Sequence, residues 1–302
     1  MRPLHRLANR VLGVIERPFV HHCPGRLAYP PIFIVGPPRS GSTSLYLYLT
    51  AALDVTVLNN LDDVFYGAPV LVHRLAGARF EPTVTSLDSN RGKVKGLAEP
   101  SECGNFWYRF FPREAGIVQA DDVDAATLRR LRSEIGGLGL VRQRPVLFKN
   151  LYCSLRIDPI HRTLPEARFI VIHRELLANA VSILRARSAD GDVQSWWSVR
   201  PPGEGLADLS PPEQAVVQVT RIHEVIEESR RFLDPSLFLD VDFEAFVSDP
   251  ARTLDAVTAF IQQDGTAVRR RPRQIPTPTA PEPPDPSLAD AVRPFLTHTE
   301  LT

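Results

Sequence analysis

Cysteine is scarce: the chain of 302 residues holds only Cys23, Cys103 and Cys153. An odd, widely spaced set with no Cys-x-x-Cys pair excludes a disulfide framework and a cysteine zinc site, and it fits a reducing cytoplasm. His21 and His22 have no partner at metal spacing, so no metal is expected. No run of eighteen or more apolar residues occurs, which leaves nothing to span a membrane as a helix. Net charge is also lacking: Lys and Arg total 35 and Asp and Glu total 35. A balanced chain has no global field to draw it to nucleic acid, so any anion site must be built locally. The length suits one large α/β domain with decorations, or at most two domains.

What is present begins with Ile32-Phe33-Ile34-Val35-Gly36-Pro37-Pro38-Arg39-Ser40-Gly41-Ser42-Thr43, an apolar strand running into a glycine-bracketed turn. A helix follows from Ser42 through Leu45, Leu47 and Leu49. The spacing is like a Walker A loop, in which backbone N–H groups wrap a phosphate at a helix N-terminus. Ser42 stands where a nucleotide-triphosphate loop has its lysine, and the cation has moved forward to Arg39. An arginine still offers a fork of donors to phosphate-type oxygens. The loss of the lysine argues against ordinary ATP chemistry and for another phosphate-bearing donor. Pro38, Arg39, Ser40, Gly41, Ser42 and Thr43 are the candidate binding residues.

Further strands are expected at 145–148, 169–172 and 237–241, each short, apolar and separated by helical patterns. Alternating strands and helices imply a central parallel sheet flanked by helices on both faces, with ligands at the carboxyl ends of the strands. Arg39, Lys149 and Arg174 all lie at or just past such ends. The fold class expected is therefore a single P-loop-like α/β domain over residues 30–270. Ser210-Pro211-Pro212-Glu213 reads as a capping box opening a long helix whose buried face holds Ala215, Val219, Ile222, Ile226 and Leu233. Another helix after Pro250 turns Leu254, Val257 and Ile261 inward.

Two segments flank this domain. Over residues 1–25, Leu4, Leu7, Ala8, Val11, Leu12 and Ile15 repeat at helical spacing opposite arginines. Those arginines interrupt any secretory h-region. The helix either packs on the domain or makes peripheral membrane contact, as a basic amphipathic helix does. Residues 271–302 begin with seven prolines among the fifteen residues from Pro272 to Pro286, an extended tail outside the core.

Four segments in order resemble the sulfotransferases that use 3′-phosphoadenosine 5′-phosphosulfate (PAPS). They are the Gly36–Thr43 loop, Phe148-Lys149-Asn150 with Leu164-Pro165-Glu166-Ala167-Arg168, the strand end at Arg174 with Ser182 eight residues on, and Val241-Asp242-Phe243-Glu244 running to Asp249-Pro250. They span roughly residues 30 to 262. Leu176 and Leu151 stand where that family has prolines. The resemblance implies that Arg39 and the loop meet the donor's 5′-phosphosulfate, with Lys149 assisting, and that Arg174 and Ser182 hold its 3′-phosphate. Arg269, Arg270, Arg271 and Arg273 either close on that phosphate, as a basic segment does in the family, or form a solvated cluster.

Sulfuryl transfer also needs a base. Glu99 and Glu102 lie in an apolar and aromatic segment where burial raises a carboxyl pKa. Glu102-Cys103-Gly104-Asn105-Phe106-Trp107 resembles an E-x-G-x-FW segment of carboxylate-using members, which favours Glu102 and leaves Glu99 in reserve; otherwise Glu102 caps the helix of Phe106. His173, next to Arg174 on a strand, points to the opposite face. Trp196 and Trp197 belong to an acceptor wall or to the core.

The expected activity is sulfuryl transfer to a small-molecule, lipid or carbohydrate acceptor by a cytoplasmic enzyme of bacterial type. Golgi members carry a signal anchor that this sequence does not show. A P-loop kinase is the alternative, with Leu239-Asp240 the nearest approach to its metal-binding strand. A non-catalytic adenine-nucleotide-binding domain is the other. The acceptor segments, 59–91 and 196–209, carry no readable code.

Overall fold

A computed structural model describes residues 3–20, 25–87, 94–113 and 116–296. His21, His22 and Cys23, and the ends of both flanking segments, lie outside the described residues. Four strands, β1 Ile32–Val35, β2 Leu147–Lys149, β3 Arg168–His173 and β4 Phe238–Asp242, form one parallel sheet in the order β2-β1-β3-β4. Twelve helices surround it among the described residues: α1 Pro3–Glu16, α2 Ser42–Ala52, α3 Asn60–Val64, α4 Pro69–Ala76, α5 Gly104–Trp107 and α6 Ala125–Arg142, then α7 Ile157–Thr163, α8 Leu176–Ala189, α9 Pro211–Arg231, α10 Phe243–Ser248, α11 Pro250–Gln262 and α12 Pro286–Val292. None is long and apolar enough to cross a membrane.

β1, β2 and β3 are buried on both sides because both faces of the sheet are covered, whereas edge strand β4 exposes Asp240 and Asp242. Phe33, Val35, Phe148, Phe169, Val171 and Phe238 pack into a core with α6, α7 and α9 residues such as Ile135, Ile160 and Ile222. The alternate residues Ile32, Ile34, Leu147, Ile170 and Ile172 pack against α2, α10 and α11 through Leu45, Phe246 and Val257. The parallel register sets four phenylalanines in a row across the first face. Phe148, Phe33, Phe169 and Phe238 stack at centroid distances of 5.2, 5.6 and 5.2 Å. Trp107 of α5 caps the row, 5.8 Å from Phe33 and 5.2 Å from Phe148.

After β1 the chain crosses toward β2, and after β3 it crosses toward β4. The connections diverge between β1 and β3, which opens a crevice at their carboxyl ends, the place where such sheets bind ligands.

Three local expectations change. Ser210 sits at the N-cap of α9 but its side chain makes no capping bond. With Pro211 and Pro212 filling the first two helical positions, one of the two N–H groups a cap normally uses is missing. The proline-rich stretch has neither helix nor strand before Pro286, where α12 begins and the chain packs back: Ala289 and Val292 of α12 are buried with Val181, Leu184 and Val216 of α8 and α9. The C-terminal arginines do not reach the crevice. Buried Arg271 pairs with Glu81 at 2.6 Å and faces Asp54 at 3.6 Å. Arg270 pairs with Asp255, and Arg273 donates to the Pro82 carbonyl at 3.4 Å.

Candidate active site

The β1–α2 turn is held from outside through its carbonyl groups. Ser154 donates to Gly36 O at 3.1 Å and accepts from Gly36 N at 3.0 Å. Asn179 Nδ2 donates to Pro38 O at 2.7 Å, and Arg174 Nη1 to Arg39 O at 2.9 Å. Arg39 takes a left-handed φ of 63° and Gly41 one of 88°, so the turn is tighter than ordinary L-residues favour. At Gly41 a Cβ would lie 2.2 Å from the ring of Phe243, so glycine is required for space as well as conformation. The first-turn amides of α2, which have no intrahelical acceptors, are left to face a ligand.

Around this turn lies a cavity of about 480 Å³. Arg39, Gly41, Ser42, Thr43, Glu102, Lys149 and Arg174 line it, so seven of the residues singled out from sequence meet there. Arg39 Nε donates to Ser182 Oγ at 3.1 Å, and its guanidinium lies 5.5 Å from the centre of the Trp197 ring. Ser182 therefore joins the site through Arg39. Pro38 and Ser40 lie buried within the turn. The Arg174 guanidinium stacks 5.1 Å from the Phe243 ring, and burial pulls it below its ordinary pKa. Two buried polar atoms here have no hydrogen-bond partner, Ser40 Oγ and Arg174 Nε, the latter 3.9 Å from Glu244 Oε1.

Lys149 is buried at the end of β2, and its ammonium is paired with Glu102 Oε1. Asn150 Nδ2 fixes the same segment by donating to Glu102 O at 3.0 Å. The Glu102 side chain does not cap α5; the N-cap there is Cys103, without a side-chain cap bond. Cys103 has φ 45° and its buried thiol is pushed well up in pKa, chiefly by desolvation, so it is no thiolate nucleophile. Glu99 is absent from the cavity wall. It lies half-buried beside Gly96, where desolvation raises its pKa.

Both missing prolines are replaced by side-chain caps. Glu175 accepts from Leu177 N and Ala178 N at the start of α8, and Asn150 accepts from Tyr152 N at the start of a short 3-10 helix, Leu151–Leu155. His173 points away from the cavity, bonded to Asp240 at 2.7 Å and stacked on His223 at 4.6 Å. Trp197 lines the cavity, whereas Trp196 stacks on buried Arg187 at 5.3 Å.

Sequence reasoning missed Asn60, Asp63 and Ser101, which also line the cavity. Asn59 and Asp62 form a reciprocal capping box that aims α3, and Asn105 Nδ2 holds Asp63 at 3.2 Å. The Asn-x-x-Asp spacing was the available signal. Phe243 was noted only as part of a motif, and its contact with Gly41 joins residues about two hundred positions apart. Among the described residues, no group of three or more His, Cys, Asp or Glu is placed to hold a metal ion.

A parallel α/β sheet with a phosphate-type turn, flanking strand-end cations and a cavity carboxylate defines a group-transfer enzyme. The Sulfotransferase family profile matches residues 30–266, and the chain belongs to that family. No curated protein sequence matches it. Solved structures with the same fold include the sulfotransferase STF1 of Mycobacterium tuberculosis, 17% identical over 85% of this chain and 73% of that one, with a TM-score of 0.52. The sulfotransferase STF9 of Mycobacterium avium is 15% identical over 98% of this chain and 78% of its own, with a TM-score of 0.52.

Proposed function

We propose that the chain transfers the sulfuryl group of PAPS to a hydroxyl or amine of a small-molecule, lipid or carbohydrate acceptor. The observation that carries this reading is the single cavity shared by Arg39, Lys149, Arg174 and Glu102. Arg174, which lines the cavity and whose Nε makes no hydrogen bond, suits a ligand rich in acceptor oxygens. Arg39 and the Gly41–Thr43 turn take the 5′-phosphosulfate; Arg174 and Ser182 take the 3′-phosphate. The acceptor oxygen bonds to sulfur as the bond from sulfur to the bridging oxygen breaks, and the electron pair leaves on the 5′-phosphate. Glu102 receives the acceptor's proton. Positioning and charge neutralisation carry most of the acceleration in such transfers. Lys149, already against Glu102, turns to the leaving phosphate as negative charge grows there, which frees the carboxylate to act as base.

A kinase reading is weakened by Asp240. Its carboxylate is engaged by His173 and by Arg230 at 2.8 Å, outside the cavity, and both hold its pKa well below the usual carboxylate range. The test is a thermal-shift series without metal. 3′-Phosphoadenosine 5′-phosphate should raise the melting temperature, and labelled sulfate should pass from PAPS to an acceptor extract. Stabilisation by Mg·ATP but not by the 3′,5′-bisphosphate would overturn the proposal.

A further inference from the structure

The amphipathic helix α1 packs on the body by its polar side. Asn9, Gly13 and Glu16 are buried. Asn9 Nδ2 donates to Val64 O at 3.0 Å and its Oδ1 accepts from Gly67 N at 2.8 Å, while Glu16 accepts from Leu71 N at 3.0 Å. The apolar stripe faces outward instead. Leu4 is 78% exposed, Leu7 57% and Val14 58%, with Val11, Ile15 and Phe19 continuing the surface. Leu75 at the end of α4 is 77% exposed, and its neighbour Arg74 lies over the Phe19 ring at 5.9 Å. A contiguous run of exposed apolar side chains, not scattered single ones, is the mark of an interaction site.

Beside the stripe runs a groove of about 510 Å³ between α1 and the body, lined by Arg6, Arg10, Arg17, Arg109 and Arg130. Arg109 and Arg130 converge on Glu134 at 2.5 and 2.7 Å. Arg6, Arg10 and Arg17 are exposed and form no ion pair with a described residue. The only acid of α1, Glu16, is turned inward. At 3.6 residues per turn, α1 thus has three sectors: a polar one on the protein, a basic one along the groove and an apolar one outside.

We propose that this face docks on an anionic phospholipid bilayer, with the apolar stripe at the boundary of the acyl chains and lipid phosphates in the arginine-lined groove. Charge selects this occupant over a second copy of the chain. Two copies joined by their stripes would bring together two sets of arginines with no outward acid on either helix. A bilayer supplies both the apolar depth and the anions. The inference stands apart from the reaction proposed above, because none of these residues lines the catalytic cavity.

The test is flotation of the full chain with vesicles of phosphatidylcholine alone or of equimolar phosphatidylglycerol and phosphatidylcholine. Wild type should float with the anionic vesicles and lose this on raising salt. Leu7→Ser with Val11→Ser should abolish flotation with the melting temperature unchanged, since both side chains face solvent. Arg6→Gln, Arg10→Gln and Arg17→Gln together should weaken partitioning on the order of a hundredfold and remove its salt dependence. Inorganic phosphate equal to the lipid phosphate should not compete. Equal partitioning to both vesicles, no flotation, displacement by inorganic phosphate, or a dimer in light scattering that Leu7→Ser and Val11→Ser dissolve would each overturn the proposal.

Discussion

Arg271 is buried and Arg174 half-buried, and the two guanidinium groups are held in opposite ways. Arg271 lies against carboxylates, Glu81 at 2.6 Å and Asp54 at 3.6 Å, and Arg144 and Arg142 crowd onto the same Glu81. Arg174 is held by a carbonyl, by the Phe243 ring and only distantly by Glu244, at 3.9 Å. A neutral carbonyl fixes the guanidinium without cancelling its charge, so the charge remains for a ligand. The partner, more than the arginine, separates an anion site from a structural pair. Lys149 stands between the two cases, because its carboxylate partner Glu102 faces the cavity.

The largest expected effect tests that intermediate case. Glu102→Gln should lower turnover about 10²–10⁴-fold, the usual cost of removing a positioned base. Donor affinity, read by titration calorimetry, should hold or rise because Lys149 loses its competing partner. Turnover near wild type would return Glu99 to consideration. Next, Glu81→Ala should destabilise the fold by about 3–5 kcal/mol in denaturant unfolding, since it strands buried Arg271 without its closest carboxylate. Binding of 3′-phosphoadenosine 5′-phosphate should be unchanged where the protein remains folded. Arg174→Ala should do the reverse. Stability should stay near wild type, while affinity for the 3′-phosphorylated nucleotide falls by about 1.5–3 kcal/mol, as for a charge-assisted bond. Equal loss for adenosine 5′-phosphosulfate, which lacks the 3′-phosphate, would make Arg174 a structural residue after all.

The remaining effect, on stability against pH and not on the site, concerns a carboxylate with too little cation. Burial first, then the nearby Glu134, raises the Glu16 pKa from 4.5 to about 8. The folded protein therefore holds this proton at pH values where the unfolded chain has released it. The contribution is fully present below pH 4.5 and disappears as pH rises through about 8. Melting temperature should fall over that range, and Glu16→Gln should flatten the slope. A wild-type curve that is level from pH 6 to 9 would contradict it.

Sequence located the parts of the candidate cavity wherever they are consecutive. The runs from Ile32 to Thr43 and from Arg168 to Ser182 each hold a strand, a turn and a helix start, so one pattern fixed the strand-end position of Arg39 and Arg174. The cavity wall from Asp63, Trp197 and Phe243 comes from elements far apart, and local spacing does not encode their meeting. The face of α1 was misleading for a different reason. Periodicity shows that an apolar stripe exists, but whether it turns inward depends on Asn9 and Glu16 finding Val64, Gly67 and Leu71 on the body. The pairing of buried Arg271 was not legible because its acids, Glu81 and Asp54, lie far away in sequence.

The stacked row from Phe148 to Phe238, with Trp107 laid over it, has a consequence for motion. Phe106 and Trp107 follow Glu102 by only a few residues and are buried in the main core, so the acid's segment is welded to the central sheet. Local openings with low free energy belong to segments with few buried contacts. The Phe106 amide, bonded to the Cys103 carbonyl, should then exchange with solvent only through global unfolding, and the acid proposed as proton acceptor would keep its place through every cycle of ligand entry and exit.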